Sequence, residues 1–380
     1  MKVVFVSNYL NHHQIPFCTY MKNHCEQFDF IASDIESIQG YQEISNADYV
    51  SIYNEQSKSS IIEKILQADF VIFGSSPHEL IQLRMAENKL SFLYSERFYK
   101  KGVWRRWNPR TFIKLYDRII KYRKSNMYVL CASAFLPYDL KLIGFPLNKC
   151  YRWGYFPEVV QNDLDSLHNK KKREDGKISL IWVGRLIKFK HPEVVIKLSE
   201  YLKNAGYLFE VTIIGDGPMR SSLQKNINEK KLADYIHMVG SKNKKEVREY
   251  MEKSSIFLFT SARGEGWGAV LNEAMSSGCT PVCSHAIGSV PFLLRNNENG
   301  LIYHYGNQHS IVSAVKKLLD DPEMCKKLGE NAYQDMVSLW NAEIAAKRLL
   351  LLGSNLLSGK ESEYESGPCS KATLIKDDWL

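Results

Sequence analysis

Ile178-Ser179-Leu180-Ile181-Trp182-Val183-Gly184-Arg185-Leu186-Ile187-Lys188-Phe189-Lys190 is an apolar run that ends in a glycine and a cationic loop. The run Ile178–Val183 shows no strict alternation, which is the pattern of a strand covered on both faces of a parallel sheet. It follows residues 167–177, a stretch that is polar and charged nearly throughout and reads as an exposed linker. The strand therefore opens a new array, continued by apolar runs at 210–214, 236–239, 255–260 and Thr280–Ser284. Before the linker lies a similar array: Lys2–Ser7, 28–32, 70–74, Ser91–Ser95 and 128–132, with helical patterns at 59–67 and 111–124. Two successive βα arrays predict an α/β protein of two Rossmann-like, doubly wound domains facing a central cleft, the default place for a ligand. The expected division is 1–166, a linker at 167–177, 178–340, and a C-terminal helix and tail at 341–380.

The 380 residues suit two cores better than one. With 44% apolar and 24% charged residues, large-scale disorder is not expected. A formal net charge of +8 suits contact with anions, such as phosphates or a membrane surface, and is modest for a dedicated nucleic-acid binder. No nucleic-acid partner is expected. The run Met1–Val6 soon meets Asn8, Asn11, His12 and His13, so it reads as a buried strand and not as a secretory leader. No run of about 18 apolar residues is present. The expected location is the cytoplasm, with a possible peripheral place at the inner face of the membrane. Eight scattered cysteines show no zinc spacing and read as reduced, buried thiols.

Four pieces of the second array carry chemistry, each at the carboxyl end of a strand, where ligands bind in open α/β sheets. Gly184 leads to Arg185 and Lys190, two cations suited to a diphosphate, though alone they could be solvated surface groups. Gly215-Asp216-Gly217-Pro218 makes a tight turn into a helix that Pro218 can open, and its glycines allow backbone to approach a ligand, although a plain strand-to-helix turn reads equally well. Val239-Gly240 ends another short strand, where backbone groups could meet a nucleobase. The fourth piece is Glu265-Gly266-Trp267-Gly268-Ala269-Val270-Leu271-Asn272-Glu273. Its glycines let a loop wrap a ligand, and a helix starting near Gly268 presents free N–H groups to an anion. Glu265 can accept hydrogen bonds from sugar hydroxyls, and Glu273 can reach a ribose. Taken singly, each acid could equally be an ordinary helix carboxylate.

Gly184-Arg185-Leu186 with Lys190 five residues after the arginine, then Gly215-x-Gly217-Pro218, then Glu265 through Glu273 in the spacing Glu-x7-Glu, resembles family 4 of the retaining glycosyltransferases. The resemblance spans most of the chain and is sharpest over 180–290. It implies the GT-B fold, transfer from a nucleotide-diphosphate sugar with retention of anomeric configuration, and no metal or other cofactor. It implies that Arg185 and Lys190 bind the diphosphate, that Glu265 contacts the transferred sugar, and that Glu273 holds the donor ribose. It places the backbone of Gly266, Trp267, Gly268, Ala269 and Val270 at the donor; at 267 the family more often has Phe. In such folds the C-terminal helix, here at 341–352, crosses back to the first domain.

The stretches Val6-Ser7-Asn8-Tyr9-Leu10-Asn11-His12-His13-Gln14-Ile15-Pro16-Phe17, Cys131-Ala132-Ser133-Ala134 and Trp153-Gly154-Tyr155-Phe156-Pro157 are similar to a bacterial subgroup that builds capsule, O-antigen and other surface polysaccharides. The chain departs from the family twice. It has Ser7-Asn8 through His12-His13 in place of a Gly-Gly loop, and Glu96 where many members place a histidine at the reaction centre. Asn8, His12 and His13 are candidates for the acceptor side, although the histidines could instead cap the following helix. Glu96 is either catalytic or a salt-bridged structural acid.

Lys100, Lys101, Arg105, Arg106, Arg110, Lys114, Arg118, Lys121, Arg123 and Lys124 crowd one segment, with Trp104 and Trp107 among them. Basic and aromatic residues mixed in this way suit an anionic membrane surface, where a lipid-linked acceptor would be met. The expected function is transfer of a sugar from a nucleotide sugar, UDP by family habit, to a glycan or lipid-linked hydroxyl. The alternatives are a nucleotide-sugar epimerase on the same fold and a non-enzymatic binder of anionic lipid or nucleic acid.

Overall fold

The computed structural model describes residues 1–34, 47–361 and 364–380. Residues 362 and 363 of the expected tail lie outside the described residues. In chain order the elements are β1 (Lys2–Ser7), α1 (Ile15–His24), β2 (Gln27–Ala32), β3 (Val50–Ile52), α2 (Lys58–Gln67), β4 (Phe70–Phe73), α3 (His78–Ala86), β5 (Ser91–Ser95), α4 (Pro109–Arg118), β6 (Met127–Cys131), α5 (Leu136–Leu142) and β7 (Cys150–Arg152). There follow α6 (Leu164–Lys171), β8 (Ile178–Val183), α7 (Glu193–Asn204), β9 (Phe209–Ile214), α8 (Arg220–Glu229), β10 (Ile236–Gly240), α9 (Lys244–Glu252), β11 (Ile256–Phe259), α10 (Val270–Ser276), β12 (Thr280–Ser284), α11 (Val290–Leu293), β13 (Leu301–Tyr303), α12 (Gln308–Asp320), α13 (Pro322–Ser338) and α14 (Ala342–Leu357).

These elements form two compact units. One comprises Met1–Glu158 and Trp340–Lys376, the other Val159–Leu339 and Asp377–Leu380. In the first unit all strand pairs are parallel, in the order β3-β2-β1-β4-β5-β6-β7. In the second the order is β10-β9-β8-β11-β12-β13, again all parallel. Helices cover both faces, so β4, β11 and β12 are buried at every position. Both sheets are Rossmann-like.

In the first unit α14 packs on α1. Gly353 makes close approach possible, since a Cβ there would lie 2.6 Å from the Phe70 ring. Residues after α14 then run along β7: Cys369 N–H donates to the Arg152 carbonyl and Ala372 N–H to the Cys150 carbonyl, which covers a sheet edge.

Several elements differ from the sequence reading. The segment 167–177 is not simply an exposed linker. It begins as the second half of α6, where Leu167 is buried and Lys171 donates to the carbonyls of Ser254, Ser277 and Gly278. Helix α6 belongs to the second unit, which starts at Val159. The expected helix at 111–124 stops at Arg118, because Ile119 leaves helical geometry at φ −146°, and a single 3-10 turn follows at Ile120–Tyr122. No disulfide forms, and seven of the eight cysteines are buried.

Candidate active site

In the second sheet the chain passes from β8 outward to β9 and β10, then returns to β11 on the other side of β8. The carboxyl ends of β8 and β11 thus flank the point where the winding reverses, the place where open α/β sheets hold ligands. Gly184 and Arg185 follow β8 there, and Thr260 and Ser261 follow β11. The four sequence pieces all fall on this edge.

Three of the loops are stitched together through backbone. Gly184 N–H donates to the Ile214 carbonyl, Leu186 N–H to the Asp216 carbonyl at 2.9 Å, and Gly215 N–H to the Gly240 carbonyl at 2.8 Å. The glycines of Gly215-Asp216-Gly217-Pro218 serve this packing. A Cβ on Gly215, at φ +135°, would lie 1.9 Å from the Gly184 carbonyl oxygen, and one on Gly217 would lie 2.7 Å from that of Leu186. The room they leave is filled by the neighbouring loop. Pro218 does not open α8, which starts at Arg220. Val239 is skipped in the pairing register between Met238 and Gly240, so β10 bulges at its end.

Lys190 and Glu265 are in direct contact: the ammonium donates to Oε2 of the carboxylate. Both side chains are mostly buried, at 14% and 13% exposed. Ser261 Oγ donates to the same oxygen at 3.0 Å. The loop of Lys190 is anchored from beneath. The buried Trp182 indole donates to Thr260 Oγ1, and that hydroxyl donates to the Lys190 carbonyl at 2.7 Å. Arg185 sits on the same edge, exposed, and among the described residues its side chain has no hydrogen-bond or ion-pair partner. A free cation beside a lysine–carboxylate pair can meet an anionic ligand without first breaking an internal bond.

Helix α10 begins at Val270 with Ala269 as its cap residue, two residues later than the expected start near Gly268. Among the described residues the N–H groups of Gly268, Ala269 and Val270 have no protein acceptor. Gly268 lies at φ +84°, and a Cβ there would meet the Phe259 ring at 2.4 Å and Glu265 Cγ at 3.1 Å. Gly266 and Trp267 are buried. The Trp267 indole turns into the core and donates to Asn272 Oδ1 at 2.9 Å, so only backbone is left for a ligand at this position. Glu273 follows within α10. Its charged neighbours are Lys244 and Arg248 of α9, and burial, the larger effect, raises its pKa above the ordinary carboxylate value.

In the first unit, Asn8, His12 and His13 follow β1 at the equivalent winding reversal, between β1 and β4. Asn8 Oδ1 accepts from Ser7 Oγ. His13 stacks on Tyr155 at 4.3 Å between ring centres, and its pKa is lowered to about 3 by burial and then by His12. Neither histidine caps α1. Gln14 holds that position, with its side chain accepting from Asn11 N–H. Glu96 is partnered twice, accepting from Lys100 and, at 2.7 Å, from the Tyr155 hydroxyl. It borders a cavity of about 680 Å³ lined by Lys100, Lys101, Arg105, Arg110, Lys114 and Arg118.

The sequence reading passed over His191, Lys244 and Arg248. His191 adopts a left-handed backbone, φ 51° and ψ 51°, directly after Lys190. Position in sequence gives no sign that Lys244 and Arg248 face Glu273. Among the described residues no three His, Cys, Asp or Glu side chains group as a metal site. No helix among them is long and apolar enough to cross a membrane.

Residues 163–335 match the family model described as Glycosyl transferases group 1. The chain is similar to the amylovoran biosynthesis glycosyltransferase AmsK of Erwinia amylovora, 27% identical over 71% of this chain and 68% of the relative. It is also similar to the N-acetylgalactosamine-N,N'-diacetylbacillosaminyl-diphospho-undecaprenol 4-alpha-N-acetylgalactosaminyltransferase of Campylobacter jejuni, 24% identical over 76% of each chain. Among solved structures, Anabaena Alr3699/HepE in complex with UDP matches 94% of this chain and all of its own, with a TM-score of 0.71 at 12% identity. Sucrose-phosphate synthase of Thermosynechococcus elongatus gives 0.67 over 94% and 99% at 15% identity. The chain is therefore a glycosyltransferase with the two Rossmann-like domains of the GT-B fold, in which residues 163–335 match the group 1 glycosyl transferase model.

Proposed function

We propose that this glycosyltransferase is a retaining enzyme of family 4 that moves a sugar from a UDP-sugar to a hydroxyl of a glycan or lipid-linked acceptor in the synthesis of a bacterial surface polysaccharide. The observation that carries the reading is the contact of Lys190 with Glu265 beside the unpartnered Arg185, at the winding reversal of the second sheet. The UDP complex of Alr3699/HepE supports the nucleotide. The names of the Erwinia and Campylobacter relatives support a polysaccharide and a diphosphate-linked acceptor.

In this reading the bond from the anomeric carbon to the diphosphate oxygen breaks and a bond to the acceptor oxygen forms on the same face. The acceptor proton passes to the departing phosphate. Arg185, Lys190 and the N–H groups at the start of α10 offset the charge that develops on the leaving group, and no metal ion is required. Glu265, oriented by Lys190 and Ser261, contacts the transferred sugar. Glu273 accepts from the ribose hydroxyls, its charge maintained by Lys244 and Arg248.

The basic segment of the first unit adds a place of action. Trp104 and Trp107 are 64% and 76% exposed, and Phe112 and Ile113 are exposed beside them, among the cations that line the 680 Å³ cavity. An apolar and cationic face of this kind suits an anionic bilayer, with the enzyme peripheral to it and its acceptor drawn from it. Sedimentation with phosphatidylglycerol vesicles at low salt tests this, and protein left in the supernatant contradicts it.

Thermal-shift measurements against UDP-, GDP- and ADP-sugars, followed by product analysis with the sugar that binds, test the central reading. Stabilisation by a UDP-sugar and a new glycosidic bond are expected. Epimerised free donor with no glycoside would replace the transferase reading by an epimerase.

A further inference from the structure

The last four residues, Asp377-Asp378-Trp379-Leu380, belong to the second unit. Trp379 Nε1–H donates to the carbonyl of His285 at 3.0 Å. The Asp377 carboxylate lies 3.6 Å from the Arg263 guanidinium. The ring of His285 also hydrogen-bonds the Asp377 backbone. Arg263 precedes Glu265 by two residues in the loop after β11, and His285 comes directly after β12. The tail therefore bridges two adjacent loops. These loops touch each other as well, through Gly288 N–H and the Glu265 carbonyl at 3.2 Å.

From His285 the contacts continue to the other side of the site. Its Nδ1 accepts from Tyr305 N–H at 3.0 Å. The Tyr305 hydroxyl lies 2.9 Å from His191 Nε2, and His191 Nδ1 lies 2.7 Å from Glu193 Oε1. His191 is the residue after Lys190 and holds a left-handed backbone that a side chain rarely adopts. Such a conformation persists where surrounding contacts over-determine it, and partners on both ring nitrogens do so here. One connected path thus starts beside Glu265, passes through the tail, and ends beside Lys190.

We propose that Asp377 and Trp379, acting through His285, Tyr305 and His191, are positioning residues that hold the Lys190–Glu265 pair for the donor. This rests on the donor reading above. None of the five is a group that the reading places on the substrate. The tail's ties fall on loop residues flanking the pair. The Arg263–Asp377 pair is beyond hydrogen-bond distance and Arg263 is half exposed, so the indole of Trp379 is the firmer of the two ties.

The test uses the full chain and hydrogen exchange, which needs no knowledge of the donor. Trp379→Ala is expected to speed exchange of amides in 261–268 and 285–289 about tenfold while Lys2–Ser7 is unchanged. Asp377→Asn should act in the same direction but less, and the reciprocal pair Arg263→Asp with Asp377→Arg should recover part of the protection. In parallel, UDP affinity of Trp379→Ala should fall several-fold. Unchanged exchange in 261–268 in both single variants would overturn the proposal. So would acceleration spread evenly over the chain, which would mark a purely structural role. If exchange responds as expected but the wild-type protein does not bind UDP, the network stands and the UDP reading fails.

Discussion

Lys190, in the loop after β8, donates to the carboxylate of Glu265, in the loop after β11. Each group satisfies the other's charge in a mostly buried setting, and Thr260 and Ser261 fix the two from below and beside. In the proposed reaction the pair is a prepared arrangement: the ammonium faces the leaving diphosphate and the carboxylate the sugar. Charge placed before the reaction needs no reorganisation during it.

Breaking that pair from either side should cost both activity and stability. Lys190→Ala leaves Glu265 with the Ser261 hydroxyl as a side-chain partner, and loss of one member of a mostly buried pair costs about 1–3 kcal/mol. Turnover should fall at least ~100-fold. The double variant with Glu265→Gln should be less destabilised than the sum of the singles, which denaturant unfolding of the four proteins in a cycle would measure.

Glu273 should be a site where function opposes stability. Burial raises its folded pKa above that of the unfolded chain, so its ionisation is penalised on folding. The penalty is absent below the unfolded pKa and is imposed as pH rises through it. Glu273→Gln should therefore raise the melting temperature of the ligand-free protein at pH 7.5 and change it little at pH 4. The same variant should bind a UDP-sugar at least ~10-fold more weakly, since a ribose hydroxyl loses its charged acceptor. Equal affinity would remove Glu273 from the donor site.

Acid should loosen the first unit early. His13 is held neutral, its folded pKa about 3 against an ordinary value of 6.5. Its contribution to stability is complete above pH 6.5 and is lost as pH falls from there toward 3. His168 and His285 are lowered in the same direction, so the protein as a whole should weaken over this window. Melting temperatures of wild type and His13→Gln at pH 7.5 and pH 5 isolate the contribution of His13. The variant should lose less between the two.

Much of this arrangement can be read along the chain. β1, β5, β8 and β12 follow from apolar runs alone, and the pieces carrying the glycines and acids all fall on one sheet edge. β3, β7 and β13 escape because three residues carry no periodicity, and they exist through pairing with longer neighbours. The glycines at 215 and 217 mark a close approach, as their spacing suggests, but the approaching group is the loop at 184–186. Trp267 in the glycine loop has the look of a ligand contact, and its burial against Asn272 emerges only once α10 is packed. The neighbours of Glu273 lie on α9, and the anchors of the Glu265 loop lie at the far end of the chain. No local pattern encodes either relation.

A single methyl group tests the loop packing. Gly215→Ala would place a Cβ against the Gly184 carbonyl and impose a φ of +135° on alanine. No flexible side chain can yield there, so the cost should exceed that of a simple left-handed alanine, which is about 1–2 kcal/mol. Soluble yield and melting temperature should both drop sharply, whereas Gly306→Ala, where nothing lies within 4 Å, should show only the smaller strain.

Arg185→Ala is the most direct test, because Arg185 is exposed and its side chain has no hydrogen-bond or ion-pair partner among the described residues, so its loss should leave the fold intact. Melting temperature and kcat/KM with a UDP-sugar should be measured on the same preparation. The expected result is an unchanged melting temperature with kcat/KM lowered by about 2–4 kcal/mol of transition-state binding, roughly 30- to 1000-fold. A folded Arg185→Ala enzyme with near wild-type kcat/KM would contradict the claim that positive charge at the end of β8 drives departure of the nucleotide.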